Sequence, residues 1–223
     1  MNTIVFDIET GPLPESELAA LVPPFDPAEV KTGNLKDPEK IAAKLADAEV
    51  NHRHDFFEKA ALDPITGRVV AIGLLANAEC GTRSAEFRII SHEDEAQMLR
   101  EFWDITRGEM GRINQMVGFN SNSFDLPFLI CRSWKHRVPV PFGIRRGRYW
   151  SDEMVDLRDA WQLGDRQARG SLDVIAKHLG IGEKNGSGAD FAKLWQSDRA
   201  KAVEYLRNDL ELTARLADAL GFL

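Results

Sequence analysis

Apolar and polar residues alternate at the start of the chain, with Ile4, Phe6 and Ile8 on one side and Asp7 and Glu9 on the other. Successive strand side chains point to opposite faces, so this run predicts a strand over about residues 3–9 with one core face and one acidic face. After the turn signal Asp63-Pro64-Ile65-Thr66-Gly67, the run Arg68–Leu75 reads as a buried strand and Ala85–Ile90 as its hairpin neighbour. Ser91 predicts the N-cap of a helix over about 92–107, with Glu93, Asp94 and Glu95 in its first turn. Gln115–Phe119 predicts a short strand that runs into Asn120-Ser121-Asn122-Ser123, then a helix over about Leu126–Lys135. Another short strand falls near 149–155. Ser171 predicts a cap for a helix ending at about Leu179, stopped by Gly180 and Gly182, and two more helices run over about 188–196 and 198–219.

Strands alternating with helices predict an α/β fold with a mixed sheet. The first two strands lie about sixty residues apart. Within that gap, Asp37-Pro38-Glu39 predicts a capped helix start with proline at its first position. Ile41, Ala42, Leu45 and Ala48 are spaced as one helix face, and a second helical piece covers about 54–62. The chain thus reads as a single domain over 1–223 carrying a helical insertion at about 15–62, a length of loop that is often functional.

At 223 residues, with 43% hydrophobic and 28% charged residues, the chain is long enough to bury a core and ordinary in composition. No apolar run approaches the roughly 18 residues that span a bilayer, and the N-terminus enters an acid-bearing strand directly. Cys80 and Cys131 are the two cysteines, far apart, which argues against a disulfide scaffold or a structural zinc site. The expectation is a cytoplasmic protein with no membrane partner. The net charge of −7 argues against nucleic acid, but its distribution reverses the argument. Leu126–Ser151 contains no acid and holds Arg132, Lys135, Arg137, Arg145, Arg146 and Arg148, a local patch that could attract phosphates.

Asp7 and Glu9 repel each other unless a cation lies between them, and hard oxygen ligands suit Mg²⁺ or Mn²⁺. The competing reading is a strand end turning into solvent at Gly11-Pro12. Asp125, just before Leu126-Pro127, reads equally as a helix N-cap. Tyr205 and Asp209 stand four apart on one helix face, which core tyrosines and solvated aspartates also do.

Taken together and in order, Asp-x-Glu on a strand, Asn-x-x-x-Phe-Asp at a strand-to-helix junction and Tyr-x-x-x-Asp on a late helix resemble the DEDD family of 3′–5′ exonucleases. The match is to its tyrosine subclass, as in the proofreading domain of family B DNA polymerases. The histidine subclass would place a histidine where this chain has Glu204. The resemblance implies a ribonuclease H-like fold with a five-stranded mixed sheet flanked by helices. It implies Asp7, Glu9, Asp125 and Asp209 as ligands of two divalent metal ions, Mg²⁺ or Mn²⁺, which clamp an in-line phosphoryl displacement. Tyr205 would orient the nucleophile rather than act as base. Thr10 and Asn120 would contact the terminal nucleotide, Phe124 would pack under the site, and Arg145, Arg146 and Arg148 would bind backbone phosphates. The expected activity is release of nucleotides from the 3′ end of DNA, single-stranded by preference. Any polymerase or repair partner would be a separate protein. An exoribonuclease, a Mg²⁺-dependent nucleotide phosphohydrolase and a catalytically silent nucleic-acid-binding module stand as alternatives.

Overall fold

The computed structural model describes residues 3–76, 86–107, 114–141, 153–165, 167, 170–186, 188 and 191–223. Hydrophobic alternation at the N-terminus does form a strand, β1 (Thr3–Pro12), but both of its faces are covered. Ile4, Phe6 and Ile8 enter one core, while Val5, in step with Asp7 and Glu9, enters a second. β2 (Gly67–Ala76) pairs antiparallel with β3 (Glu86–Ile90), while β4 (Gln115–Gly118) runs parallel to both β1 and β5 (Met154–Asp156). The five-stranded order is β3-β2-β1-β4-β5.

One face of the sheet is covered by α3 (Glu95–Thr106) and α4 (Asp125–Lys135), whose Phe102, Trp103, Phe128 and Leu129 meet Phe6, Ile72 and Met116. The cap of α3 is Asp94, which accepts from the Ala96 N–H at 2.8 Å, and not Ser91 as the sequence suggests. Glu95 then accepts the Val69 N–H at 2.9 Å and ion-pairs with buried Arg132 at 2.6 Å, tying the helix start to β2 and α4.

The opposite face receives α6 (Leu172–Leu179) and α8 (Arg199–Ala219). Ser171 caps α6 and Gly180 ends it in the left-handed conformation, as read from sequence. α5 (Leu157–Gln162) was not foreseen, and α7 (Phe191–Ser197) falls on the helix predicted over about 188–196. α8 sits very close to the sheet because Gly73 of β2 offers no side chain. A Cβ there would lie 2.8 Å from Leu210 Cδ1 and 2.9 Å from Leu206 Cγ, which real contacts do not allow.

Gly11–Arg68 forms a second compact unit, separate from the one comprising residues 1–10 and 69–223. It contains α1 (Glu15–Ala19) and α2 (Pro38–Lys59). Asp37 caps α2 as its sequence predicts, accepting from the Glu39 N–H at 3.1 Å. Where two helical pieces were expected, one continuous 22-residue helix runs on into a short 3₁₀ turn at Ala60–Leu62. Among the described residues, no helix is long and apolar enough to cross a membrane.

Candidate active site

Strand period and helix period converge at the end of β1. Asp7 and Glu9 project from the α8-covered face, and α8 presents Tyr205 and Asp209 one turn apart toward them. One oxygen each of Asp7, Glu9 and Asp209 lies within 4.8 Å of the others. Asp125 comes from the start of α4. It is the helix's first residue rather than its cap, a position taken by Phe124 without a side-chain cap bond. Its Oδ1 instead accepts the Ile8 N–H at 3.1 Å, which fixes the carboxyl group against β1 beside Asp7.

Four acids crowded this way cannot all ionise cheaply. Burial, followed by the charges of Asp125 and Asp209, holds the Asp7 carboxyl well above its usual range. Burial and the charge of Asp7 do the same to Glu9. Burial pushes Asp125 up to about 7, against the opposing pull of its hydrogen bond from Ile8. Asp209 is also raised by burial, and the ammonium of Lys184 works against that rise. Tyr205 is pushed further above its ordinary value by burial and by Asp209, so its hydroxyl stays protonated.

Lys184 is the residue that sequence reasoning missed. Its Nζ lies 2.6 Å from Asp209 Oδ2 and 5.3 Å from the centre of the Tyr205 ring. Its charge also favours ionised Asp7 and Glu9. The glycines after it matter too. A Cβ on Gly186 would collide with the Tyr205 ring at 2.8 Å, whereas one on Gly188 would rest 3.4 Å from Tyr205 Oη and 3.8 Å from Glu9 Oε2. Lys184 stands in the run Lys184-Asn185-Gly186-Ser187-Gly188, and nothing in that run marks the lysine as facing an acid.

The donor set suits a hard divalent cation: carboxylate oxygens gathered from a strand and a helix, with Asp209 Oδ1 buried and lacking a hydrogen-bond partner. Thr10, half-buried, ends the same stretch of β1. Asn120 adopts φ 62°, and its Oδ1 accepts from Arg158 Nη1 at 2.8 Å. Phe124 packs against the α3–α4 core, its ring 5.6 Å from that of Phe128. Arg145, Arg146 and Arg148 lie outside the described residues.

The sheet order, the helices on both faces and the acids at the end of β1 define a ribonuclease H-like exonuclease fold. Residues 61–213 match the family described as predicted 3′–5′ exonucleases related to the exonuclease domain of PolB, and the chain belongs to that family. The matched stretch holds Asp125, Tyr205 and Asp209, and the fold supplies Asp7 and Glu9 to them from β1. Among solved structures, the family B DNA polymerase of the hyperthermophilic archaeon Pyrobaculum calidifontis is similar at a TM-score of 0.63 and 18% identity. The likeness covers 99% of this chain and 24% of the polymerase, so this chain spans about a quarter of that protein's length. No curated protein matches it in sequence.

Proposed function

We propose that this protein is a metal-dependent 3′–5′ exonuclease that removes nucleotides from the 3′ end of single-stranded DNA. One observation carries the reading: Asp7, Glu9 and Asp209 bring carboxylate oxygens within 4.8 Å of one another, in a chain of the exonuclease family. Asp7, Glu9 and Asp209 would hold a divalent cation, and Asp125 a second one with Asp7. Mg²⁺ or Mn²⁺ there supplies charge compensation and Lewis-acid activation of the phosphodiester.

The chain's own groups divide the remaining work. Asp125, bonded to the backbone of β1, keeps its carboxyl beside Asp7 while the acids change charge. Tyr205 keeps its proton, and its hydroxyl, one helical turn from Asp209, can donate a hydrogen bond that orients an attacking water. Lys184 offsets part of the negative charge that phosphate brings to an acidic cleft. Hydrolysis adds water to phosphorus and breaks the bond to the 3′-oxygen, leaving a mononucleotide 5′-phosphate and a shortened strand with a free 3′-hydroxyl.

The test is digestion of 5′-end-labelled single- and double-stranded DNA and RNA with Mg²⁺ or Mn²⁺. A ladder shortening one nucleotide at a time on single-stranded DNA, absent in Asp7→Ala, is the expected result. Endonucleolytic fragments, or cleavage of mononucleotides alone, would overturn it; a ladder on RNA only would reassign the sugar. Tyr205→Phe should slow turnover less than Asp7→Ala while binding metal as well as wild type does. Equal losses would refute the orienting role of the hydroxyl.

A further inference from the structure

We propose that Arg158 contacts a phosphate of the substrate strand, with Asn120 aiming it and Asp156 fixing the loop that does so. The inference rests on the exonuclease reading and extends it to a residue outside the acid centre.

The sheet register sets the location. Val5 pairs with Val117, and Val117 with Val155, so these residues form one row across three parallel strands. Asp7 and Glu9 lie just past that row on β1, as do Asp156 at the end of β5 and Arg158 just after it. Ligands of such sheets collect at this end of the strands. Two strand spacings separate β1 from β5, about 10 Å, which places Arg158 beside the acids but not among them. A strand whose last linkage lies at the acids would present an upstream phosphate there.

The local bonding is built for position. Buried Asp156 receives the Asn120 N–H at 2.8 Å and the Arg158 N–H at 2.9 Å on Oδ1, and the Asn122 N–H at 2.9 Å on Oδ2. One carboxylate thereby joins the loop between β4 and α4 to the start of α5. Asn120, held at positive φ, turns its Oδ1 onto Arg158 Nη1 at 2.8 Å. The guanidinium is half-buried, its Nε is sealed from solvent without a partner, and no carboxylate among the described residues ion-pairs with it. Guanidinium groups removed from water normally face an anion. Nearby Asp159 is engaged by Asn122 Nδ2 at 3.3 Å. A planar cation, oriented by an amide and without a carboxylate ion pair among the described residues, matches a backbone phosphate beside a phosphodiester-cleaving centre.

The probe is a labelled single-stranded DNA dodecamer. Its affinity is measured by fluorescence anisotropy in an Asp7→Ala background, between about 50 and 200 mM salt. Arg158→Met should weaken binding about tenfold and make the plot of log K against log salt shallower by about 0.7, one phosphate contact on a single strand. Arg158→Lys keeps the charge and should keep the slope. Asn120→Ala should weaken binding when Arg158 is present and add nothing in Arg158→Met, because it acts through the guanidinium. Parental affinity and slope in Arg158→Met, or an Asn120→Ala loss of equal size in both backgrounds, would overturn the proposal. Wild-type digestion of the same oligonucleotide separates the two levels. Robust digestion with no binding defect in Arg158→Met defeats the role of Arg158 alone, whereas no digestion by wild type defeats the reading beneath it.

Discussion

A carboxylic acid that loses its proton near pH 7, as Asp125 does, ties the stability of the metal-free protein to pH. Its value in the folded chain lies above the ordinary value of about 3.9, so its contribution is complete below that ordinary value. The contribution is then lost as pH rises through about 7. Asn at 125 can still accept the Ile8 N–H but carries no charge. Metal-free Asp125→Asn should therefore melt at a higher temperature than wild type at pH 8, with the gap closing toward pH 5, while nuclease activity falls. Thermal unfolding across that range with a chelator checks it, and a gap that widens toward acid would contradict it. Gly188 carries a second residue-level expectation. A methyl group there makes ordinary contacts at 3.4 and 3.8 Å, so Gly188→Ala should fold normally. The same methyl sits between the Tyr205 hydroxyl and the Glu9 carboxylate, and turnover should drop at least tenfold. Circular dichroism and single-turnover digestion separate the two effects. The sequence showed Asp7 and Glu9 plainly, because a period of two leaves them on one face. It left Asp125 ambiguous, because an acid before a helix looks the same whether it caps that helix or reaches across to Ile8. Lys184 was invisible for a related reason: nothing local distinguishes a loop lysine in solvent from one folded over an aspartate.

Elements place those residues, and Gly73 is the point where one element sets the depth of another. Leu206 and Leu210 rest on it, and Tyr205 and Asp209 ride on the same helix. Gly73→Val should push α8 away from β2, costing about 1–3 kcal/mol of stability and weakening Mn²⁺ binding at a site it does not touch. Denaturant unfolding and metal titration check both consequences; an unchanged metal affinity would show that α8 is free to slide. At this scale the strands, the cap of α2 and the limits of α6 were legible, since local chemistry alone decides them. The cap of α3 was not. Ser91 and Asp94 are both good caps, and what selects Asp94 is Glu95 reaching Val69 and Arg132, a contact between distant segments. α5 escaped notice because its six residues are too few to show a helical period.

The chain forms two compact units, and every acid of the centre belongs to the one comprising residues 1–10 and 69–223. A chain lacking residues 28–60 should bind Mn²⁺ and shorten single-stranded DNA at a rate near that of the parent. Loss of metal binding would mean that Gly11–Arg68 supports the centre. A changed ratio of activity on single strands and duplex ends would mean that it selects substrates. The fold class was readable from the order of elements, and the insertion read at about 15–62 lies within the unit Gly11–Arg68, because the long gap between the first two strands marks it. One consequence follows from where the acids lie along the chain. The first pair enters at β1, Asp125 at the head of α4, and Asp209 only in α8, the last helix among the described residues. During synthesis, therefore, the four acids cannot come together until α8 has emerged. If these acids cut nucleic acid as proposed, a growing chain that still lacks α8 lacks that centre.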